Sequence, residues 1–284
     1  LDAHAPSCVV VVGDVNSTLA CSLVAAKREV PVAHVEAGLR SFDRTMPEEI
    51  NRLLTDQIAD LLYTTERSAL DNLRREGIDP SRVHFVGNLM IDSLHAALPR
   101  AVPPAKTLAA EGHAAAVIEK GFGLVTLHRP SNVDNRASLE GIMNGLGRIA
   151  ERLPVVFPVH PRTRKMLEEF GLMPRSGSEL RLLEPVGYHA SLFLTENARL
   201  VLTDSGGLQE EATYFRTPCL TLRPNTERPV TITLGSNRLT DVGKLVPDVE
   251  AALEGPERRG SIPPLWDGHT AERILKELIA STAR

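Results

Sequence analysis

The stretch 200–215 reads LVLTDSGGLQEEATYF. An apolar run ends in Asp204-Ser205-Gly206-Gly207, and a helix-forming segment follows. A strand, a Gly-rich turn and a helix N-terminus make an anion site: backbone N–H groups converge there, and side-chain-free glycines let phosphate approach closely. Glu211 comes about a turn later, too far along the helix to crowd that anion. A carboxylate so placed can accept hydrogen bonds from a ribose diol, as acids do in dinucleotide folds. Phosphates on Ser205, Gly206 and Gly207 with a ribose on Glu211 describe a nucleoside diphosphate. The competing reading is that Glu210 and Glu211 serve only the helix dipole.

Other polar groups stand where apolar runs end. Asp14 follows CVVVVG, Glu36 follows VPVAHV, His128 follows FGLVTL, and His160 and Arg162 follow PVVFPV. Glu48 and Glu49 open the segment MPEEINRLLTDQIAD, about 100° apart on a helix, so only one of them can face a ligand. Each has a structural alternative. Asp14 can cap the next helix, Glu36 can pair with Arg40, and Glu48 stands four residues before Arg52. His128 can be a satisfied strand-end histidine, and Arg162 with Arg164 a solvated helix start. His4, His84, His95, His113 and His269 carry no chemical pattern.

The elements that must position these groups alternate throughout. Short β-branched runs such as CVVVVG, LLYTT and RLVLTD are strands buried on both faces. Between them lie helical segments, including NSTLACSLVAAKRE with Asn16 or Ser17 as its N-cap, MPEEINRLLTDQIAD with Pro47 at N1, and YHASLFLTENA. The pattern predicts an α/β fold with parallel sheets and right-handed crossovers. At 284 residues the chain is long enough for two ordinary domains or one large one. The Pro/Ala-rich PRAVPPAKTLAAEGHAA, 99–115, is the expected linker. This gives a Rossmann-like domain over 1–100, to which the closing helix 266–284 returns, and a second over 115–262. Ligand would lie in a cleft at the strands' carboxyl ends.

A 42% hydrophobic, 24% charged chain of net charge −4 with no polybasic block does not point to nucleic acid. It has no apolar run of about 18 residues to cross a membrane, and its start lacks a signal peptide's regions. Cys8, Cys21 and Cys219 are expected to be reduced core thiols, in a cytoplasmic setting. No metal-ligand cluster and no early G-x-G-x-x-G is present, so no metal or nicotinamide is expected.

The segments GDVNSTLA, HVEAGLRSFDRTMPEEINR, TLHRPSNVDN, HPRTR, TDSGGLQEEA and NTERPVT, in this order, resemble the non-hydrolysing UDP-N-acetylglucosamine 2-epimerases. The resemblance implies two Rossmann-like domains of the glycosyltransferase-B type, with UDP held mainly by the second. By motif, Ser205, Gly206 and Gly207 hold the diphosphate, Glu211 the ribose, and Arg228, His160 and Arg162 stand near the nucleotide. Asp14, Glu36 and Glu48 are the acid/base candidates, with His128 beside them. The chemistry implied is elimination of UDP to a 2-acetamidoglucal and its re-addition with C2 inverted, without cofactor, serving surface polysaccharide. A homodimer is also implied.

Three departures stand out. A front segment with a GTRPE-type loop is missing, so the first domain reads as truncated at its N-terminus. Ser131 replaces a common Glu, and Ser191 replaces an aromatic that packs on uracil in some relatives, a place Tyr188 or Phe193 can fill. Competing readings are a hydrolysing relative, a glycosyltransferase of the same fold class, and a UDP-sugar-binding protein without turnover.

Overall fold

A computed structural model describes residues 1, 3–110, 116–175, 177–256 and 259–282. The chain divides into two compact units. The first is Leu1–Ser93, Thr226–Val230 and Pro263–Arg284; the second is Leu94–Asn225 and Thr231–Ile262. All strand pairs are parallel.

The first unit holds β1 (Val9–Val12), β2 (Val32–Ala37), β3 (Leu61–Thr64) and β4 (Val83–Phe85), hydrogen-bonded in that order. Val11, Val32, Ala37 and Leu62 pack on one side with Ala25 and Leu73 from crossover helices. Ala33, Val35 and Tyr63 pack on the other side with Ile274 of the closing helix Thr270–Thr282. Asp92 accepts the Thr270 and Ala271 N–H groups at 3.1 and 2.7 Å, capping that helix from the side. Trp266, fully buried, donates to the Thr65 carbonyl at 3.1 Å.

The second unit holds β5 (Gly123–Thr126), β6 (Val155–Pro158), β7 (Leu180–Leu183), β8 (Leu200–Thr203), β9 (Cys219–Leu222) and β10 (Asn237–Thr240). Their order is β10-β9-β8-β5-β6-β7. This is the doubly wound arrangement, and the connection reverses direction between β5 and β8. Ligands in such sheets bind outside the carboxyl ends at that reversal, which is where His128 and Asp204 emerge. Each sheet face has its own apolar core, one around Phe157, Leu139 and Leu202 and one around Phe122, Leu124 and Val201.

Several sequence expectations are corrected. Neither Asn16 nor Ser17 caps the first helix: Asn16 is its first residue and the cap is Val15, with no side-chain bond. Cys21 is exposed, Cys8 half-buried, and only Cys219 is a core thiol. In the expected linker, 104–110 is helical and Leu108 lies in the second unit's core, because Thr107 and Leu108 have an apolar face to fill; 111–115, including His113, lie outside the described residues. Thr226–Val230 joins the first unit rather than the 115–262 block. The reason is local pairing, since Glu66 accepts the Val230 N–H and Glu227 faces Arg52. β10 and the helix Leu245–Glu254 carry no clear signal in the sequence reading.

Among the described residues no helix is long and apolar enough to cross a membrane. No group of three or more His, Cys, Asp or Glu among them could hold a metal ion.

Candidate functional site

In the second unit, Ser205 is the N-cap of the helix Gly206–Phe215, its Oγ accepting the Leu208 N–H at 3.5 Å. The Ser205 N–H donates to Thr203 Oγ1 at 3.0 Å, and Gln209 Nε2 donates to the Ser205 carbonyl at 3.1 Å. These bonds fix the turn so that Gly206 and Gly207 present first-turn N–H groups, which have no helical acceptor. Glu211, one turn further, is buried at 6% exposure. Burial pushes its carboxyl up to about 7, while a hydrogen bond from the Tyr188 hydroxyl pulls it back down. The Tyr188 phenol is pushed up to about 12 by burial and by Glu211 beside it. Tyr188 is the first residue of the helix Tyr188–Asn197 and is 41% exposed.

Asp204 precedes that turn and is fully buried. It accepts the His128 N–H at 3.1 Å, the Arg129 N–H at 2.9 Å and Asn132 Nδ2 at 2.9 Å. His128 Nδ1 lies 3.2 Å from the same carboxylate. Asp204 therefore joins the ends of β5 and β8 and orients His128. The His128 and His160 rings stand 5.9 Å apart. His160 Nδ1 accepts the Arg162 N–H at 3.2 Å, capping the helix Pro161–Phe170. The Arg162 side chain is committed to Asp134 in an exposed ion pair. A pocket of about 400 Å³ opens beyond the ends of β9 and β10, lined by Asn132, Arg223, Asp241 and Lys244 among others.

In the first unit the carboxylates gather around one guanidinium. Arg52 is 3% exposed. It meets Asp14 Oδ2 at 2.5 Å, Glu49 Oε2 at 2.8 Å and Glu227 Oε1 at 3.8 Å. Arg52 is thus not the surface partner of Glu48, and Asp14 is not a helix cap. Glu49 is a structural pin: it accepts the Ser41 N–H, the Ser41 hydroxyl and the Phe42 N–H at 2.9, 3.0 and 2.9 Å. Glu48, its neighbour, stays half-buried outside that net.

Glu36 lies where β2 breaks register, between Val35 and Ala37, with φ +68°. A non-glycine residue there costs on the order of 1–3 kcal/mol and persists only when its surroundings enforce it. Burial raises the Glu36 carboxyl, Arg228 lowers it, Asp14 raises it, and His34 and Arg52 lower it; the net direction is upward. Arg228 belongs with this group, its Nη1 bonded to Glu227 at 2.6 Å. The structure thus sets Arg228 in the same unit as Glu36, and Ser205, Gly206, Gly207, Glu211, Tyr188, His128, His160 and Arg162 in the other.

Sequence reasoning passed over several groups. Arg40 pairs not with Glu36 but with Asp56 and Glu76, at 2.7 and 2.6 Å. Glu66, just past β3 and 2% exposed, is pushed by burial up to about 7 against hydrogen bonds from Ser68 and the Val230 N–H. Asn132, His34 and Asp56 were also missed as nodes, and Asp204, noted at its strand end, was given no role of its own. A signal existed for His34, two residues before Glu36 in HVEAGLR, and for Asn132 in HRPSN. Asp56 and Glu66 sit in ordinary helical and strand-end contexts and carried none.

The chain matches the UDP-N-acetylglucosamine 2-epimerase family over residues 1–279. It is 45% identical over 279 residues to the UDP-N-acetylglucosamine 2-epimerase of Methanocaldococcus jannaschii, covering 96% of this chain and 75% of that protein. It is 43% identical over 242 residues to the UDP-2,3-diacetamido-2,3-dideoxy-D-glucuronate 2-epimerase of Pseudomonas aeruginosa, covering 84% of this chain and 65% of that one. A crystal structure of the Methanocaldococcus jannaschii UDP-GlcNAc 2-epimerase in complex with UDP-GlcNAc and UDP superposes with a TM-score of 0.79 at 41% identity. That match covers 98% of this chain and 77% of the other. The two parallel-sheet units, of the glycosyltransferase-B type, agree with these relatives. The chain belongs to the UDP-N-acetylglucosamine 2-epimerase family and is a UDP-sugar epimerase.

Proposed function

We propose that the chain interconverts UDP-N-acetylglucosamine and UDP-N-acetylmannosamine without hydrolysis, supplying surface polysaccharide synthesis. A carboxylate takes the C2 proton. The C–H electron pair forms the C1–C2 double bond as the C1–O bond breaks, and UDP leaves with the bonding pair. UDP then adds back at C1, and a proton reaches C2 from the opposite face. Nothing is oxidised and no water is consumed.

The observation that carries this reading is Glu36. It is a carboxyl raised by burial, which Arg228 and Asp14 tune in opposite directions, held in a backbone conformation that its surroundings must enforce. Raising a carboxyl makes it a stronger proton acceptor than an ordinary one, and the proton it takes can be returned. Asp14, bound to Arg52, and Glu48 are the further acid/base candidates of this unit. In the other unit the helix N-terminus at Ser205, Gly206 and Gly207 binds the departing diphosphate, and Glu211 takes the ribose. Tyr188, beside Glu211, serves the nucleoside end; His128, with His160, serves the sugar-phosphate end. Arg162, held by Asp134, contributes charge at longer range. The active protein is proposed to be a cytoplasmic homodimer.

Product analysis of purified chain with UDP-N-acetylglucosamine tests this. UDP-N-acetylmannosamine at equilibrium, without free N-acetylmannosamine, is expected. Free N-acetylmannosamine with UDP would establish the hydrolysing reaction. UDP binding with no turnover would establish a binding protein, and either result overturns the proposal. The Pseudomonas aeruginosa relative acts, by its name, on a 2,3-diacetamido uronate, so that sugar class is the comparison substrate.

A further inference from the structure

His34 is fully buried in β2 and makes two bonds. Its Nε2 stands 2.9 Å from the Gly13 carbonyl and its Nδ1 stands 2.6 Å from Asp56 Oδ1. A carbonyl has no hydrogen to give, so Nε2 donates. Burial would raise Asp56, but the bond and charge of His34, with Arg40, outweigh it and hold the carboxyl below its usual range. Nδ1 and the Asp56 carboxyl thus share one short hydrogen bond. Asp56 Oδ2 in turn accepts the Gly38 N–H at 3.0 Å and faces Arg40 at 2.7 Å.

This chain of bonds ties together two turns. Gly13 ends β1 with φ +69°, and Gly38 follows β2 with φ +79°. Gly38 admits no side chain, since a Cβ there would lie 2.7 Å from the Ala69 carbonyl oxygen. Asp14 follows the first turn, and Glu36 precedes the second at the register break. Glu36 Oε2 faces the Gly13 turn: a Cβ on Gly13 would lie in ordinary van der Waals contact with it, at 3.5 Å. The charged or titratable groups acting on Glu36 are Arg228, Asp14, His34 and Arg52. His34 is also bonded to the backbone of the Gly13 turn.

We infer that His34 is a positioning residue for the epimerisation. Clamped by Asp56, it fixes the Gly13 turn against the kinked end of β2 and so sets both the place and the charge environment of the Glu36 carboxyl. This rests on the proposed role of Glu36 as a proton-bearing group.

The test compares wild-type chain with His34→Gln, which can still donate to Gly13 but lacks the second ring nitrogen that meets Asp56. Three readouts are taken: steady-state kinetics, UDP affinity, and the Glu36 carboxyl titration followed by carbon NMR. Expected are a kcat lower by about tenfold or more, a KM and a UDP Kd within about twofold, and a Glu36 titration moved upward by about one pH unit. A Glu36 titration identical in the two proteins overturns the inference, even if both stability and kcat fall. Should His34→Gln not fold, nitrogen NMR of the wild-type ring decides. N–H signals on both ring nitrogens support the clamp, and a bare Nδ1 overturns it. If wild-type chain shows no epimerisation, the functional proposal falls on that result, while the Glu36 titration still decides the role of His34.

Discussion

In its proposed role as the ribose acceptor, Glu211 makes the binding of nucleotide sugar depend on pH in a definite direction. Its carboxyl is pushed by burial up to about 7, and a ribose diol is held by the ionised form, which only accepts hydrogen bonds. Below that value binding must first remove a proton. At pH 6 about nine in ten Glu211 carboxyls are protonated, and at pH 8 about one in ten. The apparent affinity is therefore about tenfold, or about 1.4 kcal/mol, weaker at pH 6 than at pH 8. Near pH 7 each binding event releases about half a proton. UDP-N-acetylglucosamine is the right probe because its diphosphate diester has no group titrating in this range. Calorimetry in two buffers of different ionisation enthalpy reads both affinity and proton release. Glu211→Gln removes the titration: its affinity is flat between pH 6 and 8, and proton release disappears. The variant also separates this effect from Glu66, which titrates in the same range. A wild-type affinity that is flat, or that strengthens on acidification, would refute the reasoning, as would an unchanged slope in Glu211→Gln.

Arg52→Ala leaves Asp14, Glu49 and Glu227 facing one another without their guanidinium; stability in urea should fall by about 3–5 kcal/mol, as for other buried ion pairs broken on one side. Asp204→Asn keeps the shape but cannot accept from the His128, Arg129 and Asn132 donors together; kcat/KM should fall by on the order of a hundredfold. Glu66 gives a stability signature whose sign is fixed. Its folded value of about 7 lies above the ordinary carboxyl value, so between the two the native state binds more protons and stability falls as pH rises. Glu66→Gln should be less sensitive to pH, gaining up to about 3 kcal/mol relative to wild type on going from pH 5 to pH 8; denaturant titrations at the two values check this.

The parts legible in the sequence are those set by local pattern. Apolar runs such as LLYTT and RLVLTD marked strands because a buried parallel strand is apolar on both faces; CVVVVG also forms a strand, but as the edge strand β1 it leaves Val10 and Val12 exposed rather than buried on both faces as expected. The strand, Gly-rich turn and helix start around Ser205-Gly206-Gly207 were legible from the apolar run and the glycines that end it. β10, NRLT, escaped because an edge strand with Asn237 and Arg238 has only part of its surface to bury. Which of two adjacent acids serves structure was not legible: Glu49 is the pin only because the 41–42 backbone folds over it. Nor was the company of Arg228, which depends on the segment Thr226–Val230 joining the first unit through Glu66 and Arg52. The nodes Asp56 and Asp204 take their meaning from bonds to residues 16 to 76 positions away, a distance no local pattern spans.

The most direct test of proton chemistry at Glu36 is deuterium incorporation. Wild-type chain and Glu36→Gln are incubated with UDP-N-acetylglucosamine in deuterated water, and C2 is followed by proton NMR. The expected result is UDP-N-acetylmannosamine carrying deuterium at C2 with wild type, and neither product nor exchange with Glu36→Gln, which still binds the nucleotide sugar. Product that keeps its original hydrogen at C2, or exchange at the wild-type rate in Glu36→Gln, would contradict it.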